Sequence, residues 1–177
     1  MTRTLTCRCG AVHLQIDGAP MIGGECYCTS CRTAAAKLEA LPGAPNFRNA
    51  EGGTPYALYR KDRVRLTKGT EKLAEHRLTP KSHTRRVVAT CCNTPVFVEF
   101  QNGHWLSLYA ALWPAGEAPA MHLRTMISDL PPDVTLDDRL PNAKQQNLGF
   151  YAALLGAWVA MGFAVPQLDF IKGSIDA

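Results

Sequence analysis

A chain of 177 residues is long enough for one domain with a full core. Its 46% hydrophobic and 19% charged content describes a globular protein and excludes a disordered one. A net charge of +4 is too mild to indicate nucleic acid as a partner.

The opening residues Met1–Thr6 hold no apolar core, so no signal peptide is expected and the cytoplasm is the expected location. In that reducing setting, seven cysteines read as metal-binding or redox groups before disulfides. The first two-thirds of the chain reads as β. Val12, Leu14 and Ile16 alternate with polar or small neighbours, as do Val64 and Leu66. Arg85–Ala89 leads into the Cys91-Cys92 corner, Pro95–Phe100 leads out, and Gln101-Asn102-Gly103 turns the chain into Trp105–Tyr109. Between these strands, Thr33 to Leu41 is expected to form a short helix stopped by Pro42-Gly43, and Asn46 to Thr54 a loop. Prolines punctuate the chain from Trp113-Pro114 onward. A second helix is expected from about Pro141-Asn142 to Phe163. Within it, Gly149 to Pro166 carries no charge over 18 residues, the lower edge for crossing a bilayer. Its shortness, its bare flanks and Pro166 favour a buried or dimer-forming helix over a membrane span. The division expected is residues 1–112 as a zinc-binding domain and 113–177 as an extension with a proline-rich linker and an apolar helix.

The cysteines fall in three tight groups: Cys7-Arg8-Cys9-Gly10, Cys26-Tyr27-Cys28-Thr29-Ser30-Cys31, and Cys91-Cys92-Asn93-Thr94-Pro95. Thiolates one or two residues apart can converge on one ion. Zinc takes four of them in a structural site and leaves a position open in a catalytic one. Three thiolates within six residues can occupy three corners of a tetrahedron unaided. The fourth corner is then open to water, a substrate thiol or a distant side chain. Gly10 permits the positive φ that turns amides toward the first pair of sulfurs.

The order Cys-x-Cys-Gly-x-Val, Cys-x-Cys-x-x-Cys and Cys-Asn-Thr-Pro resembles the glutathione-dependent formaldehyde-activating enzymes over about residues 4–110. The resemblance implies a mainly β fold, a zinc-clasped β-tent of antiparallel sheets, here with a C-terminal α-helical extension. It implies a structural zinc at Cys7, Cys9 and Cys92, and a second zinc at Cys26, Cys28 and Cys31 that holds the thiol of glutathione. The implied reaction joins glutathione and formaldehyde, or reverses as a carbon–sulfur lyase.

The third corner departs from the family's Cys-x-x-Cys-Gly, because Ala89 stands at its first cysteine and Cys91 directly precedes Cys92. Cys91 can replace the missing ligand, or reach and close the second site, since neighbours in extended chain point to opposite faces. The first site can also be incomplete, and a vicinal disulfide is a further state. Asn93 stands where the family has glycine and tolerates the left-handed turn. Among five histidines His83 is the best extra ligand candidate, being nearest that corner. Lys81, His83, Arg85 and Arg86 form a basic run, with Arg85 and Arg86 as candidates to clamp the carboxylates of glutathione. The plain alternative is the solvated face of a strand.

Two functions follow. One is a zinc-dependent carbon–sulfur lyase acting on a glutathione/formaldehyde-type adduct, with Cys26, Cys28 and Cys31 as its reactive centre and a small thiol as substrate. The other is a non-catalytic zinc module that binds a thiol, peptide or protein, with the apolar helix as a homodimer or docking face.

Overall fold

The computed structural model describes residues 1–177. Along it run β1 (Thr2–Thr6), β2 (His13–Asp17), β3 (Ile22–Cys26), α1 (Thr29–Glu39), β4 (Thr54–Arg60), β5 (Val64–Lys68), β6 (Leu73–His76) and β7 (Thr84–Ala89). Then come β8 (Thr94–Phe100), β9 (Trp105–Tyr109), β10 (Leu123–Thr125), α2 (Leu148–Ala160) and β11 (Gly173–Ser174). A small antiparallel sheet has the order β1-β2-β5, and a large one the order β10-β3-β4-β9-β8-β7-β6-β11. The fold is thus mainly β with two helices, as the family resemblance implied.

Period-two alternation sorts the large sheet's side chains to two cores. On one face Ala57, Tyr59, Phe97, Leu106 and Leu108 pack with Leu5, Leu14 and Ile16 of the small sheet. On the other, Tyr56, Leu58, Val98 and Tyr109 pack with Ala35 and Leu38 of α1 and Leu154 of α2. The large sheet is therefore the middle layer. The residues read as strands at 12–16, 85–89, 95–100 and 105–109 all fall in or beside strands of these layers.

Both edges of the large sheet come from residues beyond 112. Strand β10 lies parallel to β3, with Thr125 opposite Cys26, and β11 lies parallel to β6. Edge strands left bare would offer unpaired amides to other chains. The tail is further tied down by Ile171 in the first core, and by Pro166 and Leu168 carbonyls that accept from Lys61 Nζ and Arg85 Nη2.

Both helices differ from expectation at their starts. Helix α1 begins four residues before Thr33 because the Cys28 sulfur caps it, accepting from the Cys31 backbone N–H at 3.3 Å. A thiolate can take the role usually given to Ser or Asp oxygens there. Helix α2 begins at Leu148, not near Pro141, because the preceding segment pairs with β10. The Arg124 N–H donates to Pro141 O, the Ala143 N–H donates to Arg124 O, and Asn147 supplies the cap. Its thirteen residues rise about 20 Å, short of a bilayer's apolar core of about 30 Å. No helix here is long and apolar enough to cross a membrane, which corrects that option for 149–166. Leu154 and Ala157 of α2 are buried, while Leu148, Tyr151, Leu155 and Val159 remain exposed.

Candidate metal centres

The three cysteine groups fold into two clusters, not three. Cys7, Cys9, Cys91 and Cys92 form one, and Cys26, Cys28 and Cys31 the other, with sulfurs within 4.8 Å of one another in each. No histidine belongs to either, and His83 instead meets Gln101 on the surface.

In the four-cysteine cluster the sulfurs of Cys7 and Cys9 lie 3.6 Å apart, Cys7 and Cys91 3.8 Å, Cys9 and Cys91 3.4 Å, and Cys91 and Cys92 4.0 Å. Bonds of about 2.3 Å from a tetrahedral zinc place sulfurs about 3.8 Å apart, so the set fits that ion. Backbone turns build it. The Gly10 N–H donates to Cys7 O with φ at +72°, and the Val12 N–H donates to the Cys7 sulfur at 3.3 Å. Cys91 therefore belongs to this cluster and not to the other. The alternation argument fails because residues 90–93 form a turn, with the Cys92 N–H donating to Ala89 O. Asn93 takes φ of +50° there, and its side-chain amide donates to Pro42 O. Burial pushes the Cys7 and Cys91 thiols up. Burial also opposes ionisation of Cys92, but the Thr94 hydroxyl and hydrogen bonds from the Cys9 region outweigh it and bring Cys92 down to about 6.

The three-cysteine cluster sits where β3 ends and α1 begins, so its sulfurs meet the positive end of that helix. Hydrogen bonds from Cys26 and Cys31 bring Cys28 down to about 3, helped by the Cys31 N–H and the charge of Arg86. The same sharing raises Cys26 to about 11 and raises Cys31 as well. The donor set of three sulfurs fits a zinc that keeps a position open.

Beside this cluster lies a cavity of about 210 Å³ with seventeen lining residues, twelve of them hydrophobic, Cys26 and Cys31 included. Trp105 and Phe100 contribute from the sheet and Phe150, Tyr151 and Leu154 from α2. The buried Tyr56 hydroxyl points at Cys31 Sγ from 3.9 Å, and burial keeps it protonated well above its ordinary value of 10.0.

The model of the family described as glutathione-dependent formaldehyde-activating enzyme matches residues 2–112. The chain belongs to this family. A crystal structure of a Rhodobacter sphaeroides protein is similar to it at 17% identity with a TM-score of 0.47, covering 66% of this chain and 98% of that one. No curated protein matches it.

The family region carries all seven cysteines, whereas α2 and its part of the cavity wall lie beyond residue 112. Phe150, Leu154, Tyr56, Phe100 and Trp105 were not legible as site residues. For Phe150 and Leu154 the uncharged run at 149–166 was the one signal, and it marks burial without saying against what. Arg85 and Arg86 are not brought together. Neighbours on β7, they point to opposite faces of the large sheet. Arg85 pairs with Glu99 at 2.5 Å and Glu75 at 3.2 Å, away from the cysteines. Arg86, only 1% exposed, donates from Nη2 to the Ser30 hydroxyl at 2.8 Å on the helix that carries Cys31, and its Nε and Nη1 have no partner.

Proposed function

We propose that this protein makes and breaks the carbon–sulfur bond of a thiol–aldehyde adduct at Cys26, Cys28 and Cys31, as a zinc-dependent lyase. The observation that carries the reading is the position of Cys91. It belongs to the four-sulfur cluster, so the three-sulfur cluster keeps a free side, and a cavity lies beside that cluster.

Cys26, Cys28 and Cys31 would hold the reactive ion, and Cys7, Cys9, Cys91 and Cys92 the structural one. A zinc bound by three thiolates would offer a fourth position to a substrate sulfur and lower the pKa of its thiol. The reaction itself is balanced without any oxidant. The thiol loses its proton, a sulfur electron pair bonds to the aldehyde carbon, the C=O π pair moves to oxygen, and a proton returns there. Cleavage is the same sequence reversed. The Tyr56 hydroxyl keeps its proton at neutral pH and stands beside Cys31 as a donor. Trp105, Phe150 and Leu154 exclude water from the adduct, which strengthens each polar contact at the sulfurs. Seven free cysteines in two clusters suit a reducing compartment such as the cytoplasm. The family's description makes glutathione and formaldehyde the first pair to try.

The test is exchange NMR on protein carrying two zinc ions, with formaldehyde and either glutathione or benzyl mercaptan. At least one thiol should interconvert with its hydroxymethyl adduct tenfold faster than in buffer, and Cys28→Ser should remove the effect. Unchanged exchange for both thiols at full zinc loading overturns the reading.

A further inference from the structure

The wall of the cavity beside the three cysteines says which thiols fit. Of its seventeen residues none is Lys, Arg or His, and the one charged residue is Glu25. That carboxylate is already engaged, by Arg124 Nε at 3.0 Å and by the Tyr27 hydroxyl at 2.9 Å. Arg124 in turn holds Asp137. Arg85, one candidate for clamping a carboxylate, is half-buried on the opposite face of the sheet in ion pairs with Glu75 and Glu99. Arg86 does not line the cavity.

Glutathione carries two carboxylates and an ammonium group. Taking a carboxylate out of water without a cationic partner costs several kcal/mol. Three clustered sulfurs would add repulsion. The volume of about 210 Å³ also falls below the roughly 300–1,000 Å³ of pockets that hold drug-sized ligands. Phe100, Trp105, Phe150 and Leu154 instead offer rings and branched carbons to an apolar tail.

We infer that the thiol taken at this site is small, uncharged and apolar-tailed, and that α2 selects it. The inference rests on the reading that substrate sulfur binds at Cys26, Cys28 and Cys31. It assigns to Phe150 and Leu154, from a segment outside the family region, the choice of thiol. Tyr151 lines the cavity and is 56% exposed, so it stands where the α2 wall meets solvent.

Calorimetric titration of zinc-loaded protein with benzyl mercaptan and with glutathione tests this. Benzyl mercaptan is expected to bind at least tenfold more tightly. Tyr151→Arg places a cation at the mouth without disturbing the core, and should narrow the gap at least threefold by strengthening glutathione; an unchanged thermal midpoint verifies its fold. Equal or tighter binding of glutathione, or no binding of either thiol, overturns the inference. Exchange NMR on the same samples keeps the two proposals apart. Selective binding of benzyl mercaptan without faster exchange sinks the lyase and leaves the ligand class standing. Faster exchange with glutathione as the better ligand does the reverse.

Discussion

Cys9 and Cys91 bring their sulfurs to 3.4 Å although 82 residues separate them in the chain. The contact ties the loop after β1 to the turn between β7 and β8, and so ties the small sheet to the large one. An ion bound there adds its binding energy to folding, because the unfolded chain holds no such site.

Cys91→Ser should therefore lower zinc content from two ions per chain to one. Stability should fall by about 2–4 kcal/mol, the linkage expected for a ligand present at a few hundred times its dissociation constant. For a chain of this length that is about 5–15 °C in thermal midpoint. Metal analysis and thermal unfolding read both. Two ions retained would mean that Cys91 is not a ligand.

The two centres should release zinc at different rates. Three protein sulfurs hold an ion less firmly than four, and the open side admits a chelator. A chelator in excess should draw a fast and a slow phase of equal amplitude, and Cys28→Ser should abolish the fast one. A single phase in the unaltered protein would contradict the assignment.

His76 and His104 give the fold an acid limit. Burial lowers both below the ordinary value of 6.5. In unfolded chain each takes up a proton more readily than in the folded state, so stability rises with pH through this window and is lost as pH falls below about 6.5. His104 Nε2 donates to Leu154 O at 2.9 Å, and its ring stacks on Trp158 of α2. His104→Gln should reduce the drop in thermal midpoint between pH 7.5 and pH 5.5. An unchanged drop would move the acid sensitivity to His76 or to the cysteines.

Lys61 and Glu99 form a buried ion pair at 2.5 Å, with side chains 1% and 7% exposed. Lys61 also donates to Pro166 O and so anchors the tail. Lys61→Ala leaves Glu99 with Arg85 alone. It should cost about 3 kcal/mol in urea unfolding at saturating zinc, at the low end for a broken buried pair because Arg85 remains. A loss below 1 kcal/mol would show that Arg85 suffices.

Much was legible before any coordinates. Apolar alternation marks β2 and β5, because a strand with one buried face must alternate, and short apolar runs beside turns mark β7, β8 and β9, which pack on both faces. Cysteine spacing marks the Cys26, Cys28, Cys31 set and the Cys7-Cys9 pair, because thiolates in a short turn have few ways to face apart. Strands β3 and β4 escaped notice. The first holds Gly23 and Gly24 and the second Pro55, so neither shows a run of β-branched residues.

By itself, then, the amino-acid sequence determined that this is a β protein of the formaldehyde-activating family with thiolates grouped for metal. Those are local properties, written in spacing and period. Only tertiary structure decided which cluster Cys91 joins, since a turn at 90–93 cancels the alternation that would have sent it elsewhere. Only tertiary structure set α2 over the three-cysteine site and paired Arg85 with Glu75 and Glu99. Each depends on contacts between residues far apart in the chain, such as Leu154 against Val98 and Tyr56 in one core, and no spacing along the chain records those.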